Sequence, residues 1–225
     1  MQVTYYGHSC FMVRVGEHQL LFDPFITPNE LAKDIDIASL QPDFILLSHG
    51  HADHVADAAT IQQQSGAQII SNFEVVTWYN NQGIENAHPM NHGGAFDFPF
   101  GRVKYVNAIH SSSLPDGSYG GNPGGFIIES AEGNFYYAGD TALTMDMQLF
   151  GRKELKFAFL PIGDNFTMGV DDAVTAAGFI KCNHIIGMHY DTFPPIQIDK
   201  DEARRKFRNA EAELILFDIG ETKSL

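Results

Sequence analysis

The stretch that most limits what this chain can become runs from Asp43 to Val55, DFILLSHGHADHV. Phe44, Ile45, Leu46 and Leu47 form a short apolar run of the kind shown by a strand covered on both faces. Ser48 and Gly50 mark a turn, and helical spacing begins at Ala52. Between them His49, His51, Asp53 and His54 fall within six positions, too densely for all to be ordinary surface residues. Neutral imidazole and carboxylate are the ligands that borderline divalent metals prefer. His49 and His51 can point to one side of an extended turn and share an ion, whereas Asp53 and His54, past the turn, suit a second. The alternative is a solvated first helical turn in which Asp53 merely complements the helix dipole. Further ligands elsewhere in the chain decide against it.

Ahead of this stretch, Val3 to Tyr6, Phe11 to Val15 and His18 to Phe22 cluster or alternate apolar residues around Gly7 and Gly16. That predicts an antiparallel meander with His8 at its first turn. Beyond it, Ala52 to Gln64 is expected as one helix stopped by Ser65-Gly66, Ala67 to Ser71 as a strand and Phe73 to Gln82 as an amphipathic helix. Asn86 to Phe100, punctuated by His92-Gly93-Gly94, reads as a hairpin. Strands follow at Arg102 to Ile109, Phe126 to Glu129, Phe135 to Ala138, Phe157 to Pro161, Ile185 to Met188 and Leu214 to Phe217. Helices are expected at Met145 to Phe150, Asp171 to Cys182 and Lys200 to Ala210. Strands come hairpin-linked at first and then interleaved with helices, once in each half. The pattern fits an α/β fold of two mixed β-sheets with helices on the outer faces, a four-layer αββα sandwich, in one domain spanning residues 1–225.

Three further candidates share one local context. His110 follows Val106-Asn107-Ala108-Ile109, Asp140 follows Tyr137-Ala138-Gly139, and His189 follows Ile186-Gly187-Met188, so each stands where a strand ends. Strand ends on one rim of a sandwich can bring side chains together on a rigid frame. The loop Ser111 to Gly125, SSSLPDGSYGGNPGG, resembles an active-site rim and lacks the Gly-Lys-Ser/Thr ending of a nucleotide-phosphate loop.

A formal net charge of −14 opposes phosphate backbones, which argues against nucleic acid as a partner and for a small-molecule substrate. No apolar run approaches membrane-spanning length, and no basic segment with an apolar core opens the sequence. Cys10 and Cys182 both lie in apolar patterns, so buried free thiols in a reducing cytoplasm are expected rather than a disulfide.

HGHADH at His49 to His54, the strand-end His110, Gly139-Asp140-Thr141 and the late His189 together resemble the metallo-β-lactamase superfamily in its dinuclear form. GHSCF near the start, AIHSSS, PIGDNFTMG and MHYDTFP resemble, more narrowly, a branch of metal-dependent hydrolases related to the ascorbate-6-phosphate lactonases. The resemblance implies that His49, His51 and His110 hold one metal, Asp53, His54 and His189 a second, and that Asp140 bridges them. Two such ions deprotonate a shared water at neutral pH and polarise the bond it attacks. The resemblance thus implies a hydrolase that uses metal-activated hydroxide, oriented by Asp53, on a small ester, lactone or phosphorylated metabolite. A phosphodiesterase or nuclease, and a non-catalytic oligomeric scaffold, are the alternatives. Zinc is the first expectation for the metal, and manganese, nickel or iron suit the same donors. His8, Asn165 and Tyr190 are candidates for substrate contact or oxyanion stabilisation, and Ser111 to Ser113 for a phosphate or sugar contact or a turn cap. Relatives commonly assemble, which leaves a homo-oligomer open.

Overall fold

The computed structural model describes residues 1–225. Its first sheet contains β1 (Gln2–Gly7), β2 (Cys10–Val15), β3 (His18–Phe22), β4 (Phe44–Leu46), β5 (Gln68–Asn72) and β6 (Ala87–Met90) in that order. The second contains β7 (Ala95–Phe98), β8 (Gly101–Asn107), β9 (Gly124–Ser130), β10 (Gly133–Tyr137), β11 (Leu155–Pro161), β12 (His184–Met188) and β13 (Glu213–Ile215). A final strand, β14 (Thr222–Ser224), returns to pair antiparallel with β1 and brings the first sheet to seven strands. Each sheet is antiparallel through its early strands and parallel through its later ones. The change falls at β3–β4 in the first sheet and at β10–β11 in the second.

Period-two alternation explains why the strand before the histidine cluster is apolar throughout. Leu20, Phe22, Phe44, Leu46 and Ile70 face the second sheet, while Leu21, Ile45, Leu47 and Ile69 pack outward. The outward set meets Val55, Ala58, Ile61, Val75 and Tyr79 from α1 (Ala52–Val55), α2 (Ala58–Ser65) and α3 (Phe73–Asn80). Between the sheets the core is aromatic. Phe22 stacks on Tyr137 at 4.6 Å between centroids, and Phe11 meets Phe159 at 4.7 Å. The far face of the second sheet is covered by α4 (Met147–Phe150), α5 (Val170–Ile180) and α6 (Lys200–Asn209), through residues such as Phe150, Ala176 and Phe207. The layers are those of the expected sandwich. Cys10 and Cys182 are buried and free, and no helix is long and apolar enough to cross a membrane.

Two local expectations are corrected. The helix over Ala52 to Gln64 is two helices, because Asp57 turns its carboxylate to the backbone N–H groups of Ile26 (2.7 Å) and Thr27 (2.9 Å). The Asn86 to Phe100 segment is no hairpin: β6 lies parallel to β5 in the first sheet, β7 antiparallel to β8 in the second, and the glycines turn the chain from one sheet to the other. The short polar segment Thr222–Ser224 carries no strand pattern of its own, yet it forms β14 against β1.

Candidate metal centre

One rim gathers the turn after β1, the ends of β3 and β4, and the chain beyond β8, β10 and β12, which deliver His8, Asp23, His49, His110, Asp140 and His189. Donor atoms of His49, His51 and His110 lie within 4.8 Å of one another, as do those of His8, Asp53, His54 and His189. Asp140 stands between the two groups. Its Oδ2 is 3.0 Å from Nε2 of His189, 3.3 Å from Nε2 of His54 and 3.5 Å from Nε2 of His110. All seven residues expected as ligands therefore converge. Gly139 makes this approach possible: at φ +61°, an added Cβ would lie 2.6 Å from the Ser48 side chain and 2.8 Å from the Gly124 carbonyl.

The electrostatics of the rim call for positive charge. Burial pushes the His54 imidazole toward neutrality, yet Asp140 and Asp53 outweigh it and raise its pKa well above the ordinary value. Burial likewise pushes the Asp140 carboxyl up, but His54 and His189 hold it well below the usual range. His49 goes the other way and is held neutral, by burial first and then by His54. Nε2 of His54, Oδ1 of Asp140 and Nδ1 of His189 are buried without a hydrogen-bond partner, an arrangement that costs free energy unless something else meets these atoms. Imidazole and carboxylate donors, three of them with an orphaned atom beside a demand for cation charge, fit divalent metal ions.

Asp23 is the residue that sequence reasoning missed. It is fully buried, and its Oδ1 accepts from the Ser48 backbone N–H at 2.7 Å. Its Oδ2 accepts from Ser48 Oγ–H (2.6 Å), His54 Nδ1–H (2.9 Å) and the Tyr137 hydroxyl (2.9 Å). Because Ser48 gives its proton to Asp23, its oxygen accepts from His49 Nδ1–H at 2.9 Å. One carboxylate thus sets the tautomer of an imidazole in each cluster, directly for His54 and through Ser48 for His49. Nε2 of both is left to face the centre. The only signal in the sequence is Asp23-Pro24 directly after a strand, which reads as a turn.

The other candidates divide. His8 is buried, so it does not reach substrate; burial lowers its pKa to about 4, against the pull of Asp53, and it is neutral at pH 7. Its Nε2–H therefore donates to Asp53 Oδ2 at 3.2 Å while Nδ1 accepts from the Thr192 hydroxyl at 2.9 Å. His8 and His189 both adopt left-handed backbone, φ 56° and 55°, and the His189 N–H donates to the His8 carbonyl at 2.9 Å. Strained backbone at two adjoining site residues persists only where the surroundings over-determine it. Asn165 and Tyr190 are not brought to the cleft. Asn165 lines a separate surface cavity of about 670 Å³ beside the starts of α5 and α6, and Tyr190 is buried in the core with Lys200 over its ring. Ser112 accepts from Gly50 N–H and donates to the Gly120 carbonyl, so it ties the loop down, while Ser111 lies at the cleft mouth. The cleft itself, about 430 Å³, has His51, Asp53, His110, Asp140 and His189 in its lining.

A sandwich of two mixed sheets with clustered histidines and aspartates on one rim defines a class, and residues 2–189 match the model of that class, the beta-lactamase superfamily domain. Over all 227 aligned residues the chain is 56% identical to a UPF0173 metal-dependent hydrolase of Christiangramia forsetii, with full coverage of both proteins. It is 53% identical to one from Flavobacterium johnsoniae, again over the whole of both. Among solved structures, a metallo hydrolase from the hyperthermophilic archaeon Ignicoccus hospitalis superposes with a TM-score of 0.89 at 33% identity, covering 99% of this chain and 97% of the other. The chain belongs to the beta-lactamase superfamily and, within it, to the UPF0173 metal-dependent hydrolases.

Proposed function

We propose that this metal-dependent hydrolase works with two divalent ions on a small ester, lactone or phosphorylated metabolite. The observation that carries the reading is Asp140 Oδ2, which lies within 3.5 Å of imidazoles from both clusters. In this reading His49, His51 and His110 hold one ion, Asp53, His54 and His189 the other, and Asp140 lies between them. Ions so held would lower the pKa of a shared water and polarise the scissile bond. Asp53 is partly open to the cleft, and its free oxygen can accept a hydrogen bond from the attacking water while His8 fixes the other. Burial pushes the Asp53 carboxyl up, but His54 and the His8 hydrogen bond outweigh it, so the group stays ionised and acceptor-only. The water loses one proton as its oxygen adds to the acyl carbon or phosphorus, the bond to the leaving oxygen breaks, and that oxygen takes up the proton.

His110→Ala provides the test. Two protein ligands usually bind an ion too weakly, so the variant should carry about one ion fewer per chain by plasma mass spectrometry and lose hydrolysis. Full stoichiometry with parental turnover would take His110 out of the site.

A further inference from the structure

The lining of the cleft has a second chemistry beside that of the histidines and aspartates. Phe166, Phe193 and Pro195 supply it, and neither Lys nor Arg lines the cavity. Phe166 is 53% exposed, although aromatic side chains normally bury most of their surface. It is carried on a tight loop closed by a bridge between Gly163 and Gly169, with Asp164 and Asn165 both in left-handed backbone just before it. The loop therefore presents the ring to the opening by construction. Phe193 is braced from behind, its ring 5.5 Å from that of His8 and 6.2 Å from that of Phe25. On the side of Ser111 the neighbouring cavity is lined by Ser113, Ser118, Tyr119 and Asn122, again without a cation.

A phosphorylated substrate brings a dianion that proteins ordinarily meet with Arg, Lys or a ring of backbone N–H groups. Apart from the ions its rim would hold, this cleft offers none of the cationic side chains to meet such a group, in a chain of net charge −14. An apolar wall facing a few convergent polar groups is instead the usual form of a site for a largely apolar molecule. We infer that the substrate is a neutral carboxylic ester or lactone bearing an apolar chain or ring, and that Phe166 and Phe193 select it. This rests on the hydrolase reading above and narrows it. The carbonyl sits at the histidine and aspartate side, and the apolar substituent lies against the two rings. Hydrolysis adds water across the acyl–oxygen bond and yields the carboxylic acid and the alcohol, with no co-reactant.

The test uses the protein with the metal it carries on purification and five probes that share one leaving group: p-nitrophenyl acetate, butyrate and hexanoate, p-nitrophenyl phosphate, and bis(p-nitrophenyl) phosphate. Each methylene taken in by the wall should raise kcat/KM roughly three- to fourfold, and both phosphate esters should be the poorest substrates. Phe166→Ala and Phe193→Ala should flatten the dependence on chain length, mainly by raising KM for hexanoate, with acetate changed by less than about threefold. Calorimetry of hexanoate against acetate ion gives a reading independent of turnover: tighter binding of hexanoate in the parent, and loss of that difference in the variants, is expected. Preference for either phosphate ester, or the same chain-length dependence in parent and variants, overturns the inference. If no probe is hydrolysed, the ester and phosphate-ester reading of the substrate fails, and equal binding of hexanoate and acetate then sinks the apolar site as well.

Discussion

Asp140→Asn should fold like the parent, hold fewer than two metal ions and lose at least ~100-fold of its hydrolysis. The substitution is nearly isosteric, and the residue that allows the chain to approach here, Gly139, is untouched. What changes is charge. The carboxylate offers two anionic oxygens, one 3.0 to 3.5 Å from three imidazoles and one buried without a partner. The amide is neutral and offers a single good acceptor. Removing one negative charge from between the two proposed ions would weaken both, and an amide N–H₂ turned toward either site would repel it. Unaltered far-ultraviolet circular dichroism with metal content below two per chain is the expected pair of results. A variant that keeps both ions and stays within roughly tenfold of the parental rate makes Asp140 an ordinary turn residue.

Asp23→Ala should damage stability and metal affinity together. The carboxylate accepts from Ser48 N–H, Ser48 Oγ–H, His54 Nδ1–H and the Tyr137 hydroxyl in a fully buried position. Removing the acceptor strands the two Ser48 donors and His54 Nδ1–H, while the Tyr137 hydroxyl keeps the Ser9 carbonyl at 2.7 Å, and breaking buried charged networks of this kind costs about 3–5 kcal/mol. Against a total stability of roughly 5–15 kcal/mol that is a large share, and for a chain of this size it lowers the melting temperature on the order of 10 °C. His54 and His49 lose the partner that fixes their tautomers, so affinity should fall about 10–100-fold, and at both clusters rather than one. Asp23→Asn keeps an acceptor for Ser48 N–H but presents N–H₂ to His54, and should lie between. Asp23→Ala melting within about 2 °C of the parent and retaining both ions would reduce Asp23 to a space-filling role.

The contrast between Asp23 and His49 shows what a sequence exposes. HGHADH is legible because the donors are close in sequence and lie at one strand end, so local geometry alone brings them together. His110, Asp140 and His189 are legible because each repeats that context. Asp23 meets its partners Ser48, His54 and Tyr137 only through the sheet, and nothing about a lone aspartate before a proline distinguishes a turn from a buried acceptor. Tyr190 shows the converse error. It adjoins His189, but the left-handed backbone of His189 and Asp191 turns the chain between them, and its ring enters the core. Asn165 likewise precedes the residue that does face the cleft, Phe166. In the scaffold, the apolar strands and the four layers follow from periodicity. The glycines of His92-Gly93-Gly94 signal a turn, but not whether the chain returns to the same sheet or leaves for the other. Thr222–Ser224 is polar and short, and only its pairing with β1 makes it a strand.

The donors at the rim come from both sheets, His8, Asp23 and His49 to His54 from the first, and His110, Asp140 and His189 from the second. Neither half presents a complete set by itself, so an ion that fits here binds only when both halves are folded and docked. Binding of that kind is a cross-link in thermodynamic terms: it adds RT ln(1 + [M]/Kd) to the stability of the whole molecule, about 2.7 kcal/mol at a hundredfold excess over Kd. Free-metal concentration then sets the melting temperature of the sandwich as well as the occupancy of its rim. A chelator should lower the midpoint of one cooperative calorimetric transition, rather than release a local loop ahead of it. A midpoint indifferent to chelation would mean that the two sheets hold together without help from metal at the rim.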